Sequence, residues 1–161
     1  MPETASTMTV ARAYEAWGAR LVAYAVVVAG AREAAEDAVH TVFAHLAARP
    51  ALLQQARDPA AYLFSSVRRA ALSQRARPAP SPEGFLAAAH ANPLPAEDLR
   101  DIERAVAELP EDQREAVTLR IWSGLTFPQM SEATGVSERT LESRFRAALD
   151  KLRTRLRKHH E

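Results

Sequence analysis

Proline is concentrated in one stretch near the middle of the chain, and this stretch limits the possible folds more than any other feature. Five of the ten prolines lie between Pro78 and Pro95, a density that neither a continuous helix nor a central strand tolerates. A Pro-rich linker limits the distance between the segments that flank it more than their relative orientation. The sequence therefore does not predict how these segments are placed relative to each other. The predicted division is a flexible N-terminal tail at 1–9, a helical domain at 10–77, a linker at 78–97 and a second helical domain at 98–161.

The composition favours helices over any other fold class. Of 161 residues, 34 are alanine, and the chain contains no cysteine, which excludes disulfides and Cys-based zinc sites. The longest apolar run, residues 21–31, has 11 residues, about half of the roughly 20 that a membrane-spanning helix needs. Residues 1–8 do not resemble a secretory signal. We therefore predict an all-α protein without membrane insertion, located in the cytoplasm.

Three stretches ahead of the linker have helical spacing, which predicts a three-helix bundle. The first ends at Gly30 and the second spans residues 31–49. The third starts at Asp58, an N-cap candidate, with Pro59 in its first turn, and extends toward Arg77. The predicted apolar stripe of the first helix contains Val10, Tyr14, Trp17, Leu21, Tyr24 and Val28.

The segment after the linker contains four helical stretches that end in a helix-turn-helix pattern. Two helices are predicted at 99–109 and 110–124. Thr126 can cap a third, short helix, Gly135 lies at the centre of a tight turn, and Ser137 can cap a long last helix. A short helix, a glycine-centred turn and a longer helix are typical of DNA-binding helix-turn-helix proteins.

The last helix carries a strongly basic segment, although the whole chain has a net charge of only +1. Residues 139–158 hold eight basic residues against Glu142 and Asp150. The second helix of a helix-turn-helix enters the major groove with its N-terminal residues at base edges. The polar residues opposite the apolar stripe, which we predict to read bases, are Arg139, Thr140, Ser143 and Arg146. The predicted DNA-binding set also includes Ser137 and Arg144, with further phosphate neutralisers at Lys151, Arg153, Arg155, Arg157 and Lys158. The alternative is a solvated basic face that complements the helix dipole.

Three segments of the C-terminal part resemble the fourth conserved region of bacterial RNA polymerase sigma factors. They are residues 108–120, 124–131 and 135–152. The resemblance implies a module that reads the upstream (minus-thirty-five) promoter element and rests on the flap of the polymerase beta subunit. Response-regulator output domains share part of this helix-turn-helix pattern, so the N-terminal part must separate the two interpretations.

The N-terminal part resembles the second conserved region of the same family. Residues 35–46 are similar to its helix that grips the beta-prime clamp helices, which implies polymerase contacts at Asp37, His40 and Thr41. Residues 57–75 are similar to the segment that reads and melts the minus-ten element. Residues 62–77 carry a charge of +4 with no acid, enough to follow a phosphate backbone. The predicted downstream DNA-binding residues are Arg68, Arg69, Arg75 and Arg77.

Together the two regions resemble a sigma-70 family factor of the extracytoplasmic function type. The implied partners are core RNA polymerase, promoter DNA and an anti-sigma factor. No cofactor, small-molecule substrate or catalytic activity is predicted, because the sequence shows no nucleophile beside a base and no glycine-rich phosphate loop. The five histidines, with His90 alone in the linker, form no metal-ligand set.

Departures from the family pattern keep two alternatives open. His40, Arg69 and Ser73 stand where the family usually has Gln, Asn and Asp, and residues 50–61 contain no aromatic to hold an extruded base. Tyr62 and Phe64 fit the apolar stripe of their helix, which favours a core role. One alternative is a sigma-like decoy that binds an anti-sigma factor without initiating transcription. The other is a plain helix-turn-helix regulator with an unrelated N-terminal domain.

Overall fold

The computed structural model describes residues 7–75 and 95–159, which we call the N-terminal half and the C-terminal half. Every regular element in these two ranges is helical, so the predicted all-α class is confirmed. Most of the predicted linker lies outside the described residues, as do Arg77 and His90. The α-helices are α1 (Val10–Ala29), α2 (Arg32–Ala48), α3 (Ala51–Gln54), α4 (Pro59–Ser73), α5 (Ala96–Ala107), α6 (Glu111–Val117), α7 (Phe127–Thr134) and α8 (Glu138–His159).

The ends of α1 and α4 follow the local sequence signals. The Thr9 side chain accepts a hydrogen bond from the backbone N–H of Arg12, and Gly30 ends α1 with φ of 80°. Asp58 caps α4 through the backbone N–H of Ala61, as its position before a proline predicts. Met8 packs against the core, so the ordered fold begins inside the segment predicted as a tail.

The core of the N-terminal half lies between α1, α2 and α4. Tyr24 and Phe64 are fully buried there, with ring centroids 5.6 Å apart, and Tyr62 is half-buried. The prediction that Phe64 belongs to the hydrophobic core is thereby confirmed. The short helix α3 was not predicted, because four residues with one buried apolar side chain, Leu53, are too few to show a helical period.

The C-terminal half contains the predicted helix-turn-helix. Thr126 and Gln129 form a reciprocal capping box at the start of α7. Gly135 takes a left-handed conformation with φ of 76° and leads into α8. The helix predicted at 110–124 is a regular α6 that widens into a π-helical turn, Thr118–Trp122. In that turn the backbone N–H of Ser123 bonds to the carbonyl five residues earlier.

The two halves are packed against each other. Helix α4 of the N-terminal half lies along α7 of the C-terminal half, and α1 contacts α6. Buried side chains of both halves belong to one continuous hydrophobic cluster. At the rim of this contact the Gln129 amide donates a hydrogen bond to Asp58 at 3.1 Å. A side chain of the α7 capping box and the side chain that caps α4 are thus bonded to each other.

Gly135→Ala is expected to lower the free energy of unfolding by about 1 kcal/mol, whereas Gly18→Ala is expected to raise it by about 0.5 kcal/mol. A Cβ at Gly135 would meet nothing within 4 Å, so its cost comes from the positive φ alone. At Gly18, inside α1, the Cβ would make ordinary contact with the Tyr14 ring at 3.5 Å. Urea unfolding measures both, and equal effects would contradict the assignment of a left-handed turn at Gly135.

Candidate nucleic-acid interface

The N-terminal turns of α8 expose a continuous polar face. Leu141 and Ala148 are buried and fix the rotation of the helix against the rest of the C-terminal half. The exposed residues on the opposite side are the four predicted to read bases, Arg139, Thr140, Ser143 and Arg146. Their side chains are therefore available to a major groove.

Ser137 has a structural role at the start of this face. Its hydroxyl oxygen accepts a hydrogen bond from the backbone N–H of Thr140 at 3.3 Å, and its own O–H donates to the Thr140 hydroxyl at 2.9 Å. The bond to the backbone satisfies one of the free N–H groups at the start of α8. Because Ser137 is also exposed, it both caps the helix and borders the predicted reading face.

Aromatic contacts hold α8 in place against the rest of the helix-turn-helix. The rings of Phe127 and Phe145 meet edge to face, with centroids 5.8 Å apart. The Arg120 guanidinium carbon lies 5.5 Å from the centroid of the Phe127 ring. These contacts connect the π-helical turn, α7 and α8, so the reading face is carried by a packed unit.

Two of the predicted phosphate-binding arginines on α8 are engaged inside the C-terminal half. Arg144 lies 3.4 Å from Asp112, and Arg155 lies 3.3 Å from Glu108 while donating to the Ala105 carbonyl. Both arginines are half-buried. They attach α8 to α5 and α6 and are less available to phosphate than the exposed Lys151, Arg153, Arg157 and Lys158.

Helix α4 places Arg68 at a polar contact between the halves. Its Nε donates to Glu115 of α6 at 2.6 Å, and the Tyr24 hydroxyl donates to the same carboxylate oxygen at 2.6 Å. The Arg68 and Glu115 side chains are only 25% and 17% exposed. Arg75 forms a second ion pair with Glu111, while Arg69 is exposed. Thus Arg68 and Arg75, two of the predicted downstream DNA-binding residues, bind carboxylates of the C-terminal half.

These contacts shift the protonation equilibria of their members. Burial, followed by the negative charge of Glu115, raises the pKa of Tyr24 well above its ordinary value of 10.0. The hydrogen bond to Glu115 raises the pKa of Arg68, and the hydrogen bond from Arg75 lowers the pKa of Glu111. The hydrogen bonds that Glu115 accepts from Tyr24 and Arg68, and the one that Glu111 accepts from Arg75, each favour the protonation state seen in the contact.

Alkaline pH is expected to destabilise the fold through Tyr24. A group whose pKa is raised by folding stabilises the protein fully below its unfolded pKa and loses this effect as the pH rises. The free energy of unfolding should therefore fall above pH 10, by up to about 1.4 kcal/mol per pH unit from this group. Urea unfolding from pH 8 to pH 11 measures it. The fall in the free energy of unfolding should be absent in Tyr24→Phe. It should remain in the control Tyr14→Phe, which changes an exposed tyrosine. If the fall remained in Tyr24→Phe, it would not come from Tyr24.

The three residues predicted to contact polymerase lie exposed on α2. Asp37 and His40 line an open groove of about 800 Å³ between α1 and α2. The Thr41 hydroxyl donates to the Asp37 carbonyl at 2.8 Å and is thus engaged by its own helix. Tyr14 also lines the groove. It is 58% exposed and stands edge-on to Phe43, so its predicted place on the buried stripe was wrong.

The structure reveals interface residues that the sequence did not single out as a site. Glu111, Glu115 and the pair formed by Asp58 and Gln129 bring the two halves together. The sequence signal that could have pointed to this contact is the opposite charge of two segments. Residues 97–115 hold eight acids against three arginines, and residues 62–77 hold basic residues and no acid. Within 7–75 and 95–159 there is no group of three potential metal ligands.

Comparison with known proteins finds a similarity in the segment that contains the helix-turn-helix. Residues 99–152 match the family model described as sigma-70, region 4, so the resemblance that the sequence shows for this segment is confirmed. The family is a DNA-binding regulatory domain and not an enzyme family. No curated protein matches the chain. Among the described helices, none is long and apolar enough to cross a membrane.

Proposed function

We propose that the chain is a sigma factor of the extracytoplasmic function type, which binds core RNA polymerase in the cytoplasm and directs it to promoters. The observation that carries this proposal is the exposed face of α8 within a segment that matches sigma-70 region 4. Arg139 and Arg146 can each donate two hydrogen bonds to a guanine edge, and Thr140 and Ser143 can contact neighbouring bases. This face is proposed to read the upstream element.

The proposed polymerase contact lies on α2. Its resemblance to the second conserved region is supported by the exposure of Asp37 and His40 beside an open groove. The groove is partly apolar, through Tyr14 and Phe43, and carries carboxylates on its rim. Such a surface suits an amphipathic helix with basic residues, in line with the proposed beta-prime clamp contact. The beta flap is the proposed second contact, and an anti-sigma factor is the proposed regulatory partner.

Run-off transcription tests the proposal directly. Purified bacterial core polymerase is incubated with the chain on a genomic promoter library, and specific transcripts are sequenced. Asp37→Ala should weaken binding to core polymerase about tenfold, because it removes a charge from the docking groove. The matched control is Glu33→Ala, an exposed acid on the same helix that does not line the groove. The absence of both binding and transcripts would reject a sigma factor and leave a plain helix-turn-helix regulator.

The ion pairs of Arg68 and Arg75 favour a second candidate function. Both arginines are held by carboxylates of the C-terminal half, and His40, Arg69 and Ser73 depart from the family pattern. A sigma-like decoy would bind polymerase or an anti-sigma factor and still fail to open promoters. If core polymerase binds but yields no transcript, even from pre-melted templates, the decoy function replaces promoter initiation.

A further inference from the structure

Four acidic residues around the start of α6 each pair with a different arginine. Two pairs lie within the C-terminal half and connect α8 to Glu108 and Asp112. The other two pairs cross between the halves and connect α4 and the residues that follow it to Glu111 and Glu115. The acidic segment therefore engages arginines on both predicted DNA-binding surfaces.

The two ion pairs that cross between the halves, Arg68–Glu115 and Arg75–Glu111, follow one another in order along both segments. Arg68 and Arg75 are seven residues apart; Arg68 lies on α4, and Arg75 follows shortly after that helix ends at Ser73. Glu111 and Glu115 are one turn apart on α6. Residue numbers run in opposite directions in the two pairs, Arg68 with Glu115 and Arg75 with Glu111. The segment with the two arginines and the segment with the two glutamates therefore run antiparallel, and each arginine meets one glutamate.

The arginine N–H groups that bind the carboxylates in these pairs are the same groups that would bind the phosphates of a nucleic acid. Arginine binds carboxylate and phosphate oxygens through the same N–H groups. In this arrangement Arg68 makes two contacts with Glu115, from Nε at 2.6 Å and from a terminal nitrogen at 3.4 Å. A phosphate cannot occupy the same donors until Glu115 moves away. Of the described arginines between residues 62 and 75, only Arg69 is exposed.

We propose that the acidic edge of α6, formed by Glu111 and Glu115, competes with nucleic-acid phosphate for Arg68 and Arg75. The compact arrangement of the two halves is then a state in which the DNA-binding side of α4 is covered. The reading face of α8 stays exposed in that state. The chain would therefore bind upstream duplex DNA while compact, and would bind downstream DNA only after the halves separate.

This inference rests on the DNA contact of α4 that the proposed function includes, but its test does not use transcription. The apparent dissociation constant of a ligand rises as the fraction of binding-competent protein falls. Removing the two crossing carboxylates should raise that fraction. Glu111→Gln with Glu115→Gln keeps the side-chain shapes and removes two negative charges. The probe is a fluorescein-labelled single-stranded oligonucleotide of mixed sequence, followed by anisotropy with the full chain.

The matched control is Glu108→Gln with Asp112→Asn. It also removes two negative charges, so it raises general attraction to DNA equally, but its pairs lie within the C-terminal half. We expect the crossing double variant to bind the oligonucleotide about tenfold more tightly than the wild type, and the control at most about threefold more tightly. Adding Arg75→Gln to the crossing variant should remove much of its gain.

Separation of the halves is measured in parallel. Because the chain has no cysteine, Ala47→Cys on α2 and Glu132→Cys on α7, both exposed positions, can carry a donor and an acceptor dye. Energy transfer should be lower in the crossing variant than in the wild type and unchanged in the control. Saturating oligonucleotide should lower it in the wild type as well.

Three results would overturn the inference. They are equal gains in affinity for both double variants, a loss of energy transfer without tighter binding, and unchanged energy transfer in the crossing variant. If the crossing variant fails to fold, Glu111→Gln alone serves as the test. The Glu111 side chain is 62% exposed, and the Tyr24 hydroxyl bonds to Glu115, which this variant keeps. A chain that supports no transcription but opens and binds as described would reject the proposed function and retain this inference.

Discussion

Arg68→Ala is expected to lower the free energy of unfolding by about 2 kcal/mol. Removing one partner of a half-buried ion pair leaves the other carboxylate without a counter-charge, which costs more than the net value of the pair. Glu115 would keep only the hydrogen bond from Tyr24. The value lies below that of a fully buried pair because both side chains retain some solvent contact. Urea unfolding at pH 7 measures it.

Arg69→Ala is the matched control for this prediction. It is the adjacent arginine on the same helix, but its side chain is exposed, so the free energy of unfolding should change by less than about 0.5 kcal/mol. Arg69 also belongs to the predicted DNA-binding set. Its substitution should therefore weaken oligonucleotide binding while leaving the fold intact. Equal destabilisation by the two variants would show that the contact with Glu115 does not stabilise the packed halves.

Arg139→Ala and Arg146→Ala are each expected to weaken binding to the preferred upstream duplex about tenfold or more. A bidentate contact between arginine and guanine is worth about 1–3 kcal/mol of discrimination, and the two side chains lie on the exposed face of α8. The loss should be confined to the preferred sequence. Binding to a scrambled duplex should change little, so the specificity ratio should fall. Fluorescence anisotropy with paired duplexes, chosen from the transcript start sites, measures both.

Arg157→Ala provides the contrast on the same helix. It is exposed near the C-terminal end of α8, beyond the turns that approach base edges in a helix-turn-helix. Its substitution should weaken the preferred and scrambled duplexes alike and reduce the salt dependence of binding. If Arg139→Ala behaved in the same way, its contact would be with phosphate and the base-reading assignment would be wrong.

Local signals in the sequence were sufficient to predict the helices other than α3 and to predict the helix-turn-helix. Asp58, Thr126 and Gly135 each act within a few residues of their own position, as caps or as a left-handed turn. Such effects depend on the neighbouring backbone and little on the rest of the fold. The exposure of Arg139 and Arg146 also agreed with the helical projection, because α8 is long and its apolar stripe is regular.

The features that the sequence did not predict depend on contacts between distant segments. Tyr14 has helical spacing with buried residues, but it lies at the rim where α1 meets α2 and remains exposed. The partners of Arg68 and Arg75 are 47 and 36 residues away. The opposite charges of residues 62–77 and 97–115 are visible in the sequence. They could not specify which arginine meets which carboxylate, since that depends on how the helices pack.

The bond between Asp58 and Gln129 links the local stability of two helices that belong to different halves. Asp58 caps α4 by accepting from the backbone N–H of Ala61, and the Gln129 side chain completes the capping box of α7 by accepting from the backbone N–H of Thr126. The hydrogen bond from the Gln129 amide to Asp58 joins these two caps. Fraying of either first turn removes a partner of the other cap. The two turns therefore tend to open as one cooperative unit, whose amide hydrogens exchange with solvent together. An early unfolding event at the start of α7 would thus reach α4 without any change in the buried core.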